Sequence, residues 1–305
     1  MSERRENIIE VARQGVLAGE LRPRRRFLEG LGSFLRKKPL GAASLFIILV
    51  MAIMAIFANV IAPYPPFDPH PDFPLVRPFN PQFLLGTDQL GRDVLSRIML
   101  GARVSLWVGF MAVAIGTLSG VAVGTVSGYF GGWLDMVLQR MVDALLSIPL
   151  IVLALAIVTV LRPSINNVML ALGIVLMPRV SRIVRGTVIS VRENQYIEAA
   201  RAIGARDMRV LLRHVLPNSF APIIVIASID FGQAIIAEAT LSFLGVGVPP
   251  PFVSWGEMLS GEGRQIMEEA PYMALIPGIA ISLAVLAFNL LGDSLRDVLD
   301  PRLKT

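Results

Sequence analysis

The chain has 305 residues, 54% of them hydrophobic and 17% charged, with a formal net charge of +5. Soluble domains carry about 25% charged residues, so the deficit points to lipid, and the positive balance suits membrane-edge loops better than a nucleic-acid surface. There is no Cys, and His70 and His214 are the only histidines, which excludes a disulfide framework, a thiolate metal site and a multi-histidine metal cluster.

The first predicted element follows a basic arm, residues 1–40, that carries Arg24, Arg25, Arg26, Arg36, Lys37 and Lys38. Residues 40–62 then run without a charged side chain. As a helix rising 1.5 Å per residue, such a run crosses roughly 30 Å of hydrocarbon. Its apolar core exceeds the ~7–15 residues of a secretory signal and no A-x-A site follows, so a retained span is expected over 41–62.

Five further spans are predicted, at 103–127, 138–160, 167–188, 219–244 and 272–291. Between the first two lies a long segment, 63–101, that opens Pro63-Tyr-Pro-Pro-Phe-Asp-Pro69. Proline there stops the helix and favours extended backbone. In Leu85-Gly-Thr-Asp-Gln-Leu-Gly-Arg-Asp-Val-Leu-Ser-Arg97, Gly91 is expected to close a turn and Arg92 to begin a short helix feeding the second span. Gly116, Gly120, Gly124 and Gly128 recur every four residues on one helical stripe, which permits close helix approach within the chain or against a partner. The 161–166 turn and the 246–270 segment each carry a single arginine, whereas 190–217 carries Arg192, Arg201, Arg206, Arg209 and Arg213. The positive-inside rule places this loop and both termini in the cytoplasm. The tail is then 293–305.

The 190–217 loop reads as helix, glycine turn, helix. Asn194 is suited to cap the first helix, and Gly204 supplies the left-handed residue that ends it. Met208, Leu211, Leu212 and Val215 are spaced as one apolar face of the second. Pro217 marks entry to the fifth span. Physically, this is either an amphipathic connector on anionic headgroups or a knob for a partner's groove.

Glu198-Ala199-Ala200, Gly204 after three intervening residues, and Leu216-Pro217 resemble the EAA docking motif of ABC-transporter permeases; His214 stands where many members carry Ile. Gly86–Arg97, Glu238–Gly247 continuing to Ser254-Trp-Gly-Glu-Met-Leu259, and Gly292–Arg302 are similar to the second permease subunit of dipeptide, oligopeptide and nickel importers. The resemblance covers about residues 25–305. It implies an all-α polytopic membrane protein with six transmembrane helices, a type I ABC importer permease whose core is 102–292. It further implies a bacterial or archaeal cytoplasmic membrane, a heterodimer with a related permease, two ABC ATPase subunits and an external substrate-binding protein. Glu198, Ala199, Ala200, Arg201, Gly204, Leu216 and Pro217 become the ATPase-coupling residues, the two alanines small enough for a cleft. No G-x-x-x-x-G-K-[S/T] phosphate loop occurs in the chain, so no cofactor is expected here and ATP and Mg belong to the partner ATPases. The implied cargo is a di- or oligopeptide, with nickel chelates, glutathione, opines or another small solute as alternatives.

Ionisable groups inside apolar spans are functional candidates. Asp230 and Glu238 are therefore candidates for a translocation path, with an interhelical hydrogen bond as the other reading of Asp230; Asp143 lies near one end of the third span. Trp255 is either an interfacial anchor or a gate or contact for the delivering protein. An intramembrane enzyme lacks support: there is no H-E-x-x-H, no Cys, and no two carboxylates paired by motif. A channel or scaffold would leave the docking loop without a purpose.

Overall fold

A computed structural model describes residues 38–299, apart from the side chains of 261–265. The basic arm up to residue 37 and the end of the tail, 300–305, lie outside the described residues. Among the described residues the regular structure is helix without a strand. In order these are α1 (Pro39–Ile61), α2 (Val94–Phe130), α3 (Gly132–Leu146), α4 (Leu150–Leu161), α5 (Ile165–Arg192), α6 (Gln195–Ala202), α7 (Asp207–Val210), a π turn (Leu211–Val215), α8 (Leu216–Phe243), α9 (Trp255–Gln265) and α10 (Tyr272–Leu299).

Among the described residues, five helices are long and apolar enough to cross a membrane: α1, α2, α5, the continuous 207–243 helix, and α10. The expected third span is not one straight helix. α3 and α4 meet at 92° and together make at most a broken sixth span. Proline disfavours helical backbone in the residue before it, so the chain leaves the helix at 147–148, and Pro149 restarts it with extended ψ. At 12 residues, α4 reaches only about 18 Å.

The second span is also longer than expected. α2 begins at Val94 and runs 37 residues without a separate feeder helix. The Asp93 carboxylate caps it, accepting from Ser96 N at 2.8 Å, so Arg92 stands just outside. Gly91 does close a left-handed turn, at φ +76°.

The glycine stripe turns out to serve packing within the chain. A Cβ on Gly120 would stand 2.6 Å from Val180 Cβ, and one on Gly124 would stand 2.4 Å from the Ser181 carbonyl oxygen. α2 and α5 therefore close backbone to backbone, the approach that small residues allow in lipid. α8 packs on α10 through stacked Phe231 and Phe288, with centroids 3.9 Å apart. α1 is peripheral; Phe46, Ile56 and Val60 are exposed, and Arg103 of α2 pins it by donating to the Ala55 and Ile56 carbonyls at 2.8 and 3.0 Å.

Candidate functional site

The 190–217 loop is an ordered projection seated on the ends of α2, α5 and α8. Its lower face is apolar: Ile197, Val210, Leu211 and Val215 join Tyr129, Val180, Val184 and Val188 in a buried cluster. α6 ends in a Schellman motif. Gly204 N donates to the Arg201 carbonyl at 2.9 Å and Ala205 N to the Ala200 carbonyl at 3.1 Å, with Gly204 at φ +83°. The glycine is required by that backbone sign, since a Cβ would meet no atom within 4 Å.

Two details depart from the sequence reading. Asn194 occupies the N-cap position, but its side chain does not cap α6; its amide donates backward to the Ser190 and Val191 carbonyls, closing the end of α5. The second helix buries only half of the 208-211-212-215 face. Val210, Leu211 and Val215 are buried whereas Met208 and Leu212 are exposed. The π turn over Leu211–Val215 adds a residue to the helical repeat, which rotates the buried stripe away from 3.6-residue spacing.

None of the coupling candidates is buried. Glu198, Ala199 and Gly204 face outward, and Ala200 is half-buried. Arg201 is outward in accessibility, yet its guanidinium lies over the Tyr129 ring, 5.3 Å from the centroid. Leu216 and Pro217 form the first turn of α8. The exposed apolar residues here are Ile203, at 87% exposure, with Tyr196, Met208 and Leu212. Sequence reasoning missed Ile203, whose place just before Gly204 was the available signal. It also missed Tyr129, whose hydroxyl donates to Asp207 at 2.7 Å and whose carbonyl accepts from Arg192 at 2.9 Å. Nothing local at residue 129 announces a partner 78 positions away.

The α2–α3 turn is riveted to α5 beside this site. Arg185 makes two parallel bonds to Asp135, at 2.7 and 2.6 Å, and Asp135 also accepts from Ser127. Asp143 pairs with Arg182 where both are half-exposed, a setting in which an ion pair contributes about 0–1 kcal/mol.

Asp230 is 1% exposed. One carboxylate oxygen takes Arg179 of α5 at 3.0 Å and the other has no hydrogen-bond partner among the described residues. Arg179 opens onto a crevice of about 640 Å³, walled by Pro222, Val225 and Ile229 and edged by Asn218 and Arg296. Glu238 does not join Asp230 there. It is wholly buried and accepts from Ser105 at 3.2 Å, Ser242 at 2.9 Å and Ser254 at 2.8 Å. The expectation that Glu238 lines an open path is corrected on that enclosure. Trp255 is likewise wholly buried, its indole N–H donating to the Ile98 carbonyl at 3.0 Å. It is a packing key between α9 and α2, and no face of it is available as an anchor in lipid or as a surface contact.

Residues 120–305 match the family model described as binding-protein-dependent transport system inner membrane component, and residues 33–81 match that for the N-terminal TM domain of oligopeptide transport permease C. The chain is 44% identical over 271 residues to the dipeptide transport system permease protein DppC of Alkalihalophilus pseudofirmus, covering 89% of this chain and 88% of that one. It is 46% identical over 271 residues to the glutathione transport system permease protein GsiD of Escherichia coli, covering 89% of each. Among solved structures, an inward-facing MetNI methionine ABC transporter chain superposes with TM-score 0.57 at 18% identity, covering 68% of this chain and 97% of that chain. At that identity the likeness is one of fold.

Proposed function

The chain belongs to the binding-protein-dependent transport system inner membrane component family, as a non-enzymatic, multi-pass permease subunit of an ABC importer, and from that premise we propose how it works. The 190–217 end faces the cytoplasm and docks on an ATPase. The opposite end, with the 62–93 segment, faces an external binding protein. The chain pairs with a related permease in the cytoplasmic membrane, and two ATPase subunits use ATP and Mg while this chain binds no cofactor. The cargo is a short peptide; the relatives named for dipeptide and for glutathione transport are similar to this chain at nearly equal identity, and both cargoes are small peptides.

One observation carries the docking reading. An exposed ridge of Tyr196, Glu198, Ala199, Ile203 and Met208 rides on a foundation fixed by Ile197, Val210 and Val215. Several exposed apolar residues gathered on one projection, Tyr196, Ile203, Met208 and Leu212, suit an interaction surface, and a short helix ended by a tight glycine turn fits a partner's groove. Charge reversal by Glu198→Lys is expected to leave the permease pair intact while reducing co-purified ATPase about tenfold, equivalent to ~1.4 kcal/mol of docking energy. Undiminished ATPase recovery from that variant would refute the docking surface.

We assign Asp230 and Arg179 to the wall of the translocation path. The pair sits where α5 meets the 207–243 helix, half-open to a crevice on the Arg179 side. Asp230→Asn removes the charge at constant shape. Uptake is expected to fall about tenfold (~1.4 kcal/mol) with bound ATPases retained; wild-type uptake by Asp230→Asn excludes the assignment.

A further inference from the structure

We propose that Glu238 is a positioning residue for transport, through which movement of the 207–243 helix is delivered to α9 and the 62–93 segment. The proposal rests on the docking reading for the 190–217 loop. α7, the π turn and α8 form one helix of 37 residues, about 55 Å long. The Gly204 turn lies at its start and Glu238 near its far end.

Glu238 is the centre of a closed polar knot. Its three hydroxyl donors come from two helices and a loop: Ser105 on α2, Ser242 on α8 itself, and Ser254 just before α9. Each of the two remote hydroxyls also accepts a backbone N–H of α9. Ser254 Oγ takes Glu257 N at 3.0 Å, capping α9, and Ser105 Oγ takes Trp255 N at 3.1 Å. The first turn of α9 is pressed on α8 so closely that a Cβ on Gly256 would stand 2.5 Å from Ala239 Cα. From Glu257 the ties continue outward. Arg97 contacts Glu257 at 3.4 Å and Asp88 at 3.7 Å, and Asp88 gathers Leu90 N and Arg92 N at 2.9 Å each. Tyr272 of α10 donates to the Thr87 carbonyl at 3.0 Å.

A wholly buried carboxylate satisfied by hydroxyls, with no cation among its partners in the described residues, is costly as a stability device. Apolar side chains of similar volume fill such a site at least as well, and ionisable groups inside membrane spans mark function by default. The chemistry suits a joint. Three neutral O–H donors, free to rotate about their C–O bonds, hold one carboxylate without a fixed ion pair, so α9 stays registered to α8 as α8 shifts against α2.

The test uses the complete transporter with its binding protein in proteoliposomes, reading bound ATPase, basal and binding-protein-stimulated ATP hydrolysis, and uptake. Glu238→Ala and the milder Ser254→Ala are expected to keep bound ATPases and basal hydrolysis while losing about tenfold in stimulation and uptake, a usual size for coupling between sites. Ser254→Thr, which keeps the hydroxyl, restores both. Wild-type stimulation and uptake in Ser254→Ala overturns the proposal. So does a parallel fall of assembly, basal and stimulated activity in both alanine variants that Ser254→Thr does not reverse, which would make the knot purely structural. Glu198→Lys in the same assay separates the two ideas: its normal behaviour sinks the docking reading, whereas its loss of ATPase beside a normal Ser254→Ala sinks only the role of Glu238.

Discussion

Gly204→Asp is expected to leave the permease inserted and folded while cutting uptake on the order of a hundredfold. The fold tolerates the change because a Cβ at 204 meets no atom within 4 Å, and aspartate accepts left-handed backbone better than most residues. The local cost at φ +83° is about 1 kcal/mol. The functional cost arises elsewhere. Gly204 is next to Ile203, the most exposed apolar residue of the loop, and under the proposed docking a carboxylate there would enter the groove that receives Ile203. Loss of one well-packed anchor at an interface is worth about 3 kcal/mol, which is a hundredfold in binding. The measurement is uptake beside ATP hydrolysis in vesicles of matched permease content. Normal uptake by Gly204→Asp contradicts the coupling role.

Gly120→Val is expected to destabilise the bundle more than any change in the loop. Its Cβ would lie 2.6 Å from Val180 Cβ and 2.8 Å from the Met177 carbonyl oxygen, so α2 and α5 must part. Overpacking of a fitted seam costs about 1–3 kcal/mol, and the branched side chain puts this site at the upper end. Gly186→Ala is the matched control: it lies within the same helix pair, and its Cβ would have no neighbour within 4 Å. Alanine there gains up to about 1 kcal/mol in helix propensity. Thermal unfolding of the detergent-solubilised complex should show a large fall for Gly120→Val and none for Gly186→Ala. Equal melting of the two would show that the stripe does not fit the helices together.

The contrast among prolines explains what the sequence could reveal. The uncharged run at 40–62 and the four-residue glycine repeat announce spans and packing directly, because each depends on one helix's own periodicity. Proline is different. Pro178, Pro222 and Pro277 sit inside continuous helices, whereas the chain breaks by 92° before Pro149. Inside a bundle, neighbouring helices and local adjustments satisfy the freed carbonyls, so the outcome depends on packing that the local pattern does not encode.

The site was legible to the same extent. The Gly204 turn follows from backbone stereochemistry and could be placed from one residue. The buried stripe of the next helix could be placed only in part: Leu211 and Val215 are buried as their spacing predicts, but beside a π turn Val210 takes the place of Met208 and Leu212. Glu238 shows the deeper reason. An acid in an apolar run reads as path-lining, yet its partners Ser105 and Ser254 lie 133 and 16 residues away. Trp255 reads as an anchor or as a gate or contact for the delivering protein for the same cause, and its Ile98 partner is 157 residues distant.

The central claim is that the 190–217 loop meets an ATPase inside the cell. The chain has no native cysteine, so Ile203→Cys supplies a single thiol at the exposed tip. In cells carrying the whole transporter, a thiol crosslinker applied to that variant should yield a covalent permease–ATPase adduct, and a membrane-impermeant maleimide should leave the thiol unlabelled in intact cells. Labelling of residue 203 from outside, with no ATPase adduct, would contradict both the orientation and the docking role.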